Sequence, residues 1–248
     1  MFSTKKFALL AAAPLTLFAA EAAFAGPMVV RSTGPSAKAY PVGKPLAADA
    51  KLALKAGDMV TVMDNGGTRT LKGPGMIAVA AAKAASGAGF SQLIANAGAR
   101  QTRTGATRSA VGGGPARSPN VWFVDASKGG LVCVADAASL SLWRPDPSAA
   151  GMIAVSRVSD GKTVNVDYRA GQSVREWPTA DLPVAEGAQF KIAIAGAKAP
   201  VTVKAALVAA SSDVEGIGAT LLGKGCGNQL DVLVDGTKQE DAQIASAH

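Results

Sequence analysis

The chain has 248 residues, 48% hydrophobic and 5% aromatic, and its 25 Lys and Arg against 18 Asp and Glu give a net charge of +7. Few aromatics and no basic run interleaved with them exclude nucleic acid as a partner, while the basic balance favours acidic ones, an envelope protein or an acidic envelope polymer. The single histidine, His248, is the final residue, where a fraying end cannot hold a base against a nucleophile, so histidine triads and multi-histidine metal sites are excluded.

Lys5 and Lys6 precede the apolar run Phe7 to Ala20, and Ala23-Phe24-Ala25 then supplies small residues at the two positions a signal peptidase reads. The run is shorter than the roughly 20 residues of a spanning helix. Residues 1–25 are therefore expected to be a signal peptide cleaved after Ala25, leaving a periplasmic or secreted chain that begins at Gly26. Lys83 and Arg100 bracket the later Ala-rich stretch, and Asp213 and Glu215 interrupt the next apolar one, so the mature chain is not expected to span a membrane.

From residue 26 to 99 the pattern is β first and helical afterwards. Met28-Val29-Val30-Arg31, Leu52-Ala53-Leu54 and Met59 to Met63 are β-prone. Asp64-Asn65-Gly66-Gly67 tolerates positive φ and reverses the chain into Thr68-Arg69-Thr70-Leu71 as a hairpin, which Gly73-Pro74-Gly75 ends. Residues 76–98 are Ala-rich, with Phe90, Leu93 and Ile94 at helical spacing and a break at Ser86-Gly87-Ala88-Gly89. Residues 100–119 hold Arg100, Arg103, Arg108 and Arg117 among Thr, Gly and Ser, with too few apolar residues for a core. They read as a linker, the alternative being a basic patch for a membrane surface or partner.

A second unit is expected over 120–236. Val121 to Val124, Leu131 to Val134 and Ser139 to Trp143 look like a closely spaced antiparallel meander. Ile153 to Val158 and Lys162 to Val166 flank the turn Ser159-Asp160-Gly161, and Gln172 to Trp177 and Gln189 to Ile194 add strands. Helices are expected around Val201 to Ala210, Val214 to Leu222 and Gln229 to Val234, with a disordered tail over 237–248. The fold class is α+β: a small all-β unit, then an α+β domain with a meander and C-terminal helices.

The candidate chemistry is sparse. Cys133 and Cys226 are the only cysteines, an even count in an oxidising compartment, and a disulfide between them is the natural reading; separately buried thiols are the alternative. Neither makes a metal-ligand pair with a nearby His or Cys. Asp125, Asp136, Asp160 and Asp181 lie next to turns, where Asp is favoured for backbone reasons. Gly218 to Gly225 imitates a phosphate-binding loop, but Gly225 stands where a Ser or Thr hydroxyl must hold Mg²⁺, and the stretch ends a helix instead of opening one. Trp122, Trp143 and Trp177 sit in expected strands and read as core, with an exposed ligand-stacking platform as the alternative. No cofactor is called for.

Val29-Val30-Arg31 with Gly34, Tyr40-Pro41-Val42-Gly43, Leu54-Lys55-Ala56-Gly57-Asp58, Gly67 to Leu71 and Gly73-Pro74-Gly75 together make the stretch from Val29 to Gly75 resemble the FecR-like domain of bacterial envelope proteins. That resemblance implies a small β domain for periplasmic signalling or recognition, with no catalytic residues to carry over. FecR itself is membrane-anchored, whereas this chain has an expected cleaved signal peptide, which removes the direct route for a signal across the membrane. Leu142-Trp143-Arg144-Pro145 and Gly225-Cys226-Gly227 resemble parts of an uncharacterised alphaproteobacterial exported family. The expectation is a non-catalytic periplasmic binding or sensory accessory protein, with Asp64, Asn65 and Arg69 as the recognition surface. The alternatives are an envelope enzyme with a hidden carboxylate or Ser/Lys site, and a structural envelope protein.

Overall fold

The computed structural model describes residues 26–79, 88–94 and 116–238. The expected signal peptide, most of the expected linker and tail, and the Ala-rich residues flanking 88–94 lie outside the described residues.

Five strands form the first unit: β1 (Met28–Thr33), β2 (Lys51–Leu54), β3 (Met59–Asp64), β4 (Gly67–Lys72) and β5 (Gly75–Ala78). β1, β3 and β4 make an antiparallel sheet in the order β1-β3-β4, and β2 and β5 pair as a separate ribbon. Because side chains alternate across a strand, Val29, Val60 and Val62 face the ribbon and pack with Leu52, Leu54 and Val79, whereas Met28, Val30 and Met63 point to the opposite face. The expected hairpin turn at Asp64 to Gly67 forms as read.

α1 (Ala88–Ile94) follows, then β6 (Val124–Asp125), β7 (Gly130–Val134), β8 (Ser141–Trp143), β9 (Gly151–Arg157), β10 (Thr163–Tyr168), β11 (Val174–Glu176), β12 (Gln189–Ile194), β13 (Val201–Leu207), α2 (Val214–Lys224) and α3 (Gly227–Gly236). A five-stranded sheet, β10-β9-β12-β13-β7, faces a three-stranded one, β11-β8-β6. Leu142, Ile153, Val155, Trp177, Leu182, Phe190 and Ile192 fill the space between them. With two C-terminal helices added to these sheets the fold is α+β.

Four expectations are corrected. The helix expected around Val201 to Ala210 is the strand β13: Val203 and Ala205 are buried while Thr202 and Lys204 are exposed, a two-residue alternation that β-branched residues favour. The antiparallel meander does not form. β7 lies in the five-stranded sheet, parallel to β13, and β8 lies in the facing sheet, parallel to β6, because Asp136 to Ser139 carry the chain across the core so that Leu140 and Leu142 meet Val132 and Val134 from the other side. Of the expected strand Val121 to Val124 only Val124 is extended, in β6 with Asp125, since Asn120 Oδ1 accepts the Trp122 N–H and the Val121 N–H donates to Leu93. Residues 76–98 are not helical throughout either: Met76 to Ala78 belong to β5.

The helices join the two units. α2 and α3 cover the face of the first sheet that carries Met28, Val30 and Met63, and Val121, Trp122 and Leu93 complete that core. A side chain on Gly218 would collide with Met63 Sδ, so α2 presents bare backbone to β3. Cys133 and Cys226 form the expected disulfide, Cα atoms 5.9 Å apart, tying β7 to the start of α3 across 93 residues. Arg31 of β1 pairs with Asp231 and, at 3.2 Å, with Asp235 of α3; Lys238 (2.8 Å) and Arg117 also reach Asp235.

Candidate functional site

Asp64, Asn65 and Arg69 stand together at the β3–β4 turn, but two of them turn inward. Asp64 has the same strand parity as Val60 and Val62, so its side chain closes the end of the core between the sheet and the ribbon. Its carboxylate accepts the Gly66 N–H at 2.7 Å and pairs with Arg69 Nη2 at 2.9 Å, and that nitrogen also donates to the Val79 carbonyl at 2.7 Å. The pair is a plug, with the Asp64 side chain 8% and the Arg69 side chain 17% exposed. Asn65 alone is exposed, and its Oδ1 accepts the Glu215 N–H from α2 at 3.4 Å.

The residues that carry the FecR-like resemblance also serve the backbone. Asp58 is buried and accepts the N–H groups of Ser36 (2.8 Å) and Lys55 (2.5 Å), tying two loops together. Burial alone would raise its pKa, yet the bonds from Ser36 and Lys55 outweigh that and hold the carboxyl below its ordinary value. Gly34 has φ of 102°, and a Cβ there would lie 2.6 Å from Asp58 Oδ1, so a side chain is barred twice over.

What the first unit offers to solvent lies at its other side. Lys38, Lys44, Lys51, Lys55 and Lys72 are exposed, against one exposed acid, Asp49. Met59 and Met76 are exposed among them, Met76 at 64%. The hydrogen-bond parity identifies an open edge. Val79 N–H donates to Ala50, so 52–77 and 54–75 are the bonded pairs of the ribbon, and Met76 and Ala78 direct their N–H and C=O groups away from β2. By the same logic Gly73 N–H on the Asp58 carbonyl leaves Thr68, Thr70 and Lys72 of β4 facing outward. Several other edges are capped, although β10 keeps Thr163, Asn165 and Asp167 facing outward as well. The Tyr40 hydroxyl takes the outward groups of Ala53, residues 43–46 cover β1, the Thr237 carbonyl accepts Thr68 N–H, and the Gln229 carboxamide occupies Cys133 on β7. Among the described residues nothing bonds the outward groups of Met76 and Ala78.

The remaining candidates are structural. Gly218 to Gly225 is the second half of α2 and its left-handed end, where Gly225 N–H returns to Leu221 and Leu222. All three tryptophans are buried, and Trp177 Nε1 donates to the Leu182 carbonyl at 2.9 Å. Asp125 and Asp136 accept hydrogen bonds within their own turns, Asp160 holds Arg157 and its own turn, and Asp181 meets Lys162 at 2.9 Å. The Arg157 guanidinium brings Asp160 down to about 2. Arg144 is buried; its Nε donates to Gln172 (2.9 Å) and its Nη2 to the carbonyls of Ala149 (2.7 Å) and Arg169 (3.1 Å). The guanidinium lies 4.8 Å from the centre of the Tyr168 ring, which makes Arg144 a clamp on two loops. An apolar crevice between Trp177, Phe190 and Val203 is too small for a ligand: the space its walls leave for the centre of a water-sized molecule is about 10 Å³. Among the described residues no group of His, Cys, Asp or Glu is placed to hold a metal ion, and no helix is long and apolar enough to cross a membrane.

Comparison of the chain with protein-family models, with curated proteins and with solved structures finds no match.

Proposed function

We propose that the protein is an exported, non-catalytic binding protein whose first β unit, of FecR-like type, takes an extended acidic segment of an envelope protein onto the open edge of β5. The observation that carries this reading is the pairing of an uncapped edge at Met76 and Ala78 with exposed lysines at Lys51, Lys55 and Lys72. An incoming strand gains main-chain hydrogen bonds from the edge, and the lysines select acidic side chains on it. The export step rests on the Ala23-Phe24-Ala25 cleavage cue.

Fluorescence anisotropy with an alternating Val-Glu octapeptide tests the proposal. Binding should weaken about tenfold in a Lys55→Glu, Lys72→Glu variant and vanish when the peptide's alternate amides are N-methylated. Equal binding of the methylated peptide, or of polyglutamate in its place, would point to a polymer-binding surface and overturn strand addition. Turnover of an envelope substrate, lost on one Asp or Ser substitution, would overturn the binding role itself.

A further inference from the structure

Glu215 is a buried carboxylate in need of a cation. It lies in the first turn of α2 at 8% exposure, and among the described residues no Lys or Arg side chain pairs with it. The positive end of the helix favours a negative charge there, but a carboxylate withdrawn from water ordinarily has a cationic or multiply bonded partner. Among the described residues its side chain has one donor, the backbone nitrogen of Gly26, which bonds Oε1. Gly26 is held in place: the Leu46 N–H donates to the Pro27 carbonyl at 2.7 Å, and Met28 bridges Pro45 at the start of β1. Asn65 fixes the other side of the contact by accepting the Glu215 N–H.

The sequence places a cleavage cue, Ala23-Phe24-Ala25, immediately before that nitrogen. We infer that cleavage of the Ala25–Gly26 bond creates the missing cation: the new α-ammonium of Gly26 forms a partly buried ion pair with Glu215 that locks β1 to α2. The chemistry is a peptidase-catalysed hydrolysis. Water adds across the amide, Ala25 leaves as a carboxylate on the released peptide, and the Gly26 amine takes up a proton, since an α-amine has an ordinary pKa near 8. Before cleavage the same atom is a neutral amide that offers one hydrogen bond and no charge. Processing thus supplies stability that the precursor lacks, and the contact joins residue 26 to residue 215, so it strengthens the packing of the C-terminal helices on the first sheet.

The sign of the pH dependence follows. The folded ammonium, beside an ionised carboxylate, has a pKa raised above its unfolded value, so wherever that carboxylate is charged the added stability is fully present below about pH 8 and disappears as the pH rises through the folded value.

The test is a cycle on the whole mature chain. The chain beginning at Gly26 is compared with the same chain carrying a two-residue Ser-Ala extension, each with Glu215 intact or as Glu215→Gln, by denaturant unfolding at pH 6.5. The free amine should raise the folding constant at least tenfold over the extended chain, and this advantage should disappear in Glu215→Gln. A second measurement needs no variant: NMR titration of the labelled Gly26 amine should give a pKa at least one unit above the ordinary value. Equal stability of free and extended chains, an advantage that survives Glu215→Gln, an unshifted amine, or a mature N-terminus at another residue would each overturn the inference.

Discussion

The side-chain amide of Gln229 treats Cys133 as a neighbouring strand would: its Oε1 accepts the Cys133 N–H at 2.7 Å and its Nε2 donates to the Cys133 carbonyl at 2.8 Å and to the Val121 carbonyl at 2.9 Å. One buried residue of α3 thereby satisfies the edge of β7 and the loop before β6. Replacing it with Leu leaves a buried N–H and two carbonyls unbonded, each worth about 1 kcal/mol or more. The Gln229→Leu variant should lose about 2–4 kcal/mol, read as a lower denaturation midpoint at unchanged slope. A loss under 1 kcal/mol would mean water replaces the amide.

The Asp64–Arg69 pair predicts a structural phenotype. Removing one partner of a mostly buried ion pair strands the other charge, so Asp64→Ala and Arg69→Ala should each cost about 3 kcal/mol, and the double variant clearly less than the sum. Additive losses in that cycle would show that the two side chains act independently.

Arg144→Lys keeps the charge but cannot span three carbonyls and the Tyr168 ring at once. The cost should be about 2 kcal/mol, with faster amide exchange confined to the loops 145–150 and 169–173. Unchanged exchange there would remove the clamp.

The disulfide is fully buried, so reductant should act on it only through unfolding. A Cys133→Ala, Cys226→Ala chain should be about 2–4 kcal/mol less stable, and native protein should resist reductant at low temperature. Rapid labelling of two thiols in native protein after mild reduction contradicts this.

Acid should destabilise the fold below about pH 4. Burial works against the charge on Asp235, but hydrogen bonds from Lys238 and Arg31 outweigh it and hold the carboxyl low, as the bonds from Ser36 and Lys55 do for Asp58. A carboxyl with a depressed folded pKa adds stability above its unfolded value, and that stability is lost as the pH falls through the folded one. The melting temperature should be level from pH 7 to 5 and drop below 4; Asp235→Asn should shrink the drop. A level profile down to pH 2.5 would contradict both assignments.

Local chemistry was legible and long-range pairing was not. The turns at Asp64 to Gly67 and Ser159 to Gly161, most strands, the two last helices and the cysteine pair follow from residue type and spacing. β13 was hidden because Ala205-Ala206 suits a helix as well as a strand, and only the alternation of Thr202, Val203, Lys204 and Ala205 betrays it. The parallel pairings of β6 with β8 and of β7 with β13 join residues too far apart in sequence for any short pattern to record. Asp64 and Arg69 read as a projecting surface because turn residues are usually exposed; the parity of Asp64 with Val60 and Val62 was the available clue. Glu215 was counted only as an interruption of an apolar run, and the burial that makes it notable belongs to the packing.

The covering of Met28, Val30 and Met63 by Ile217, Leu221 and Leu233 has a kinetic meaning. Residues near 30 wait for residues near 230, so the first sheet emerges from synthesis with one apolar face bare. Contacts of such long range make for slow closure, since the loop entropy must be surmounted before the contacts form. Until the helices arrive, that face is a target for holding chaperones and for self-association.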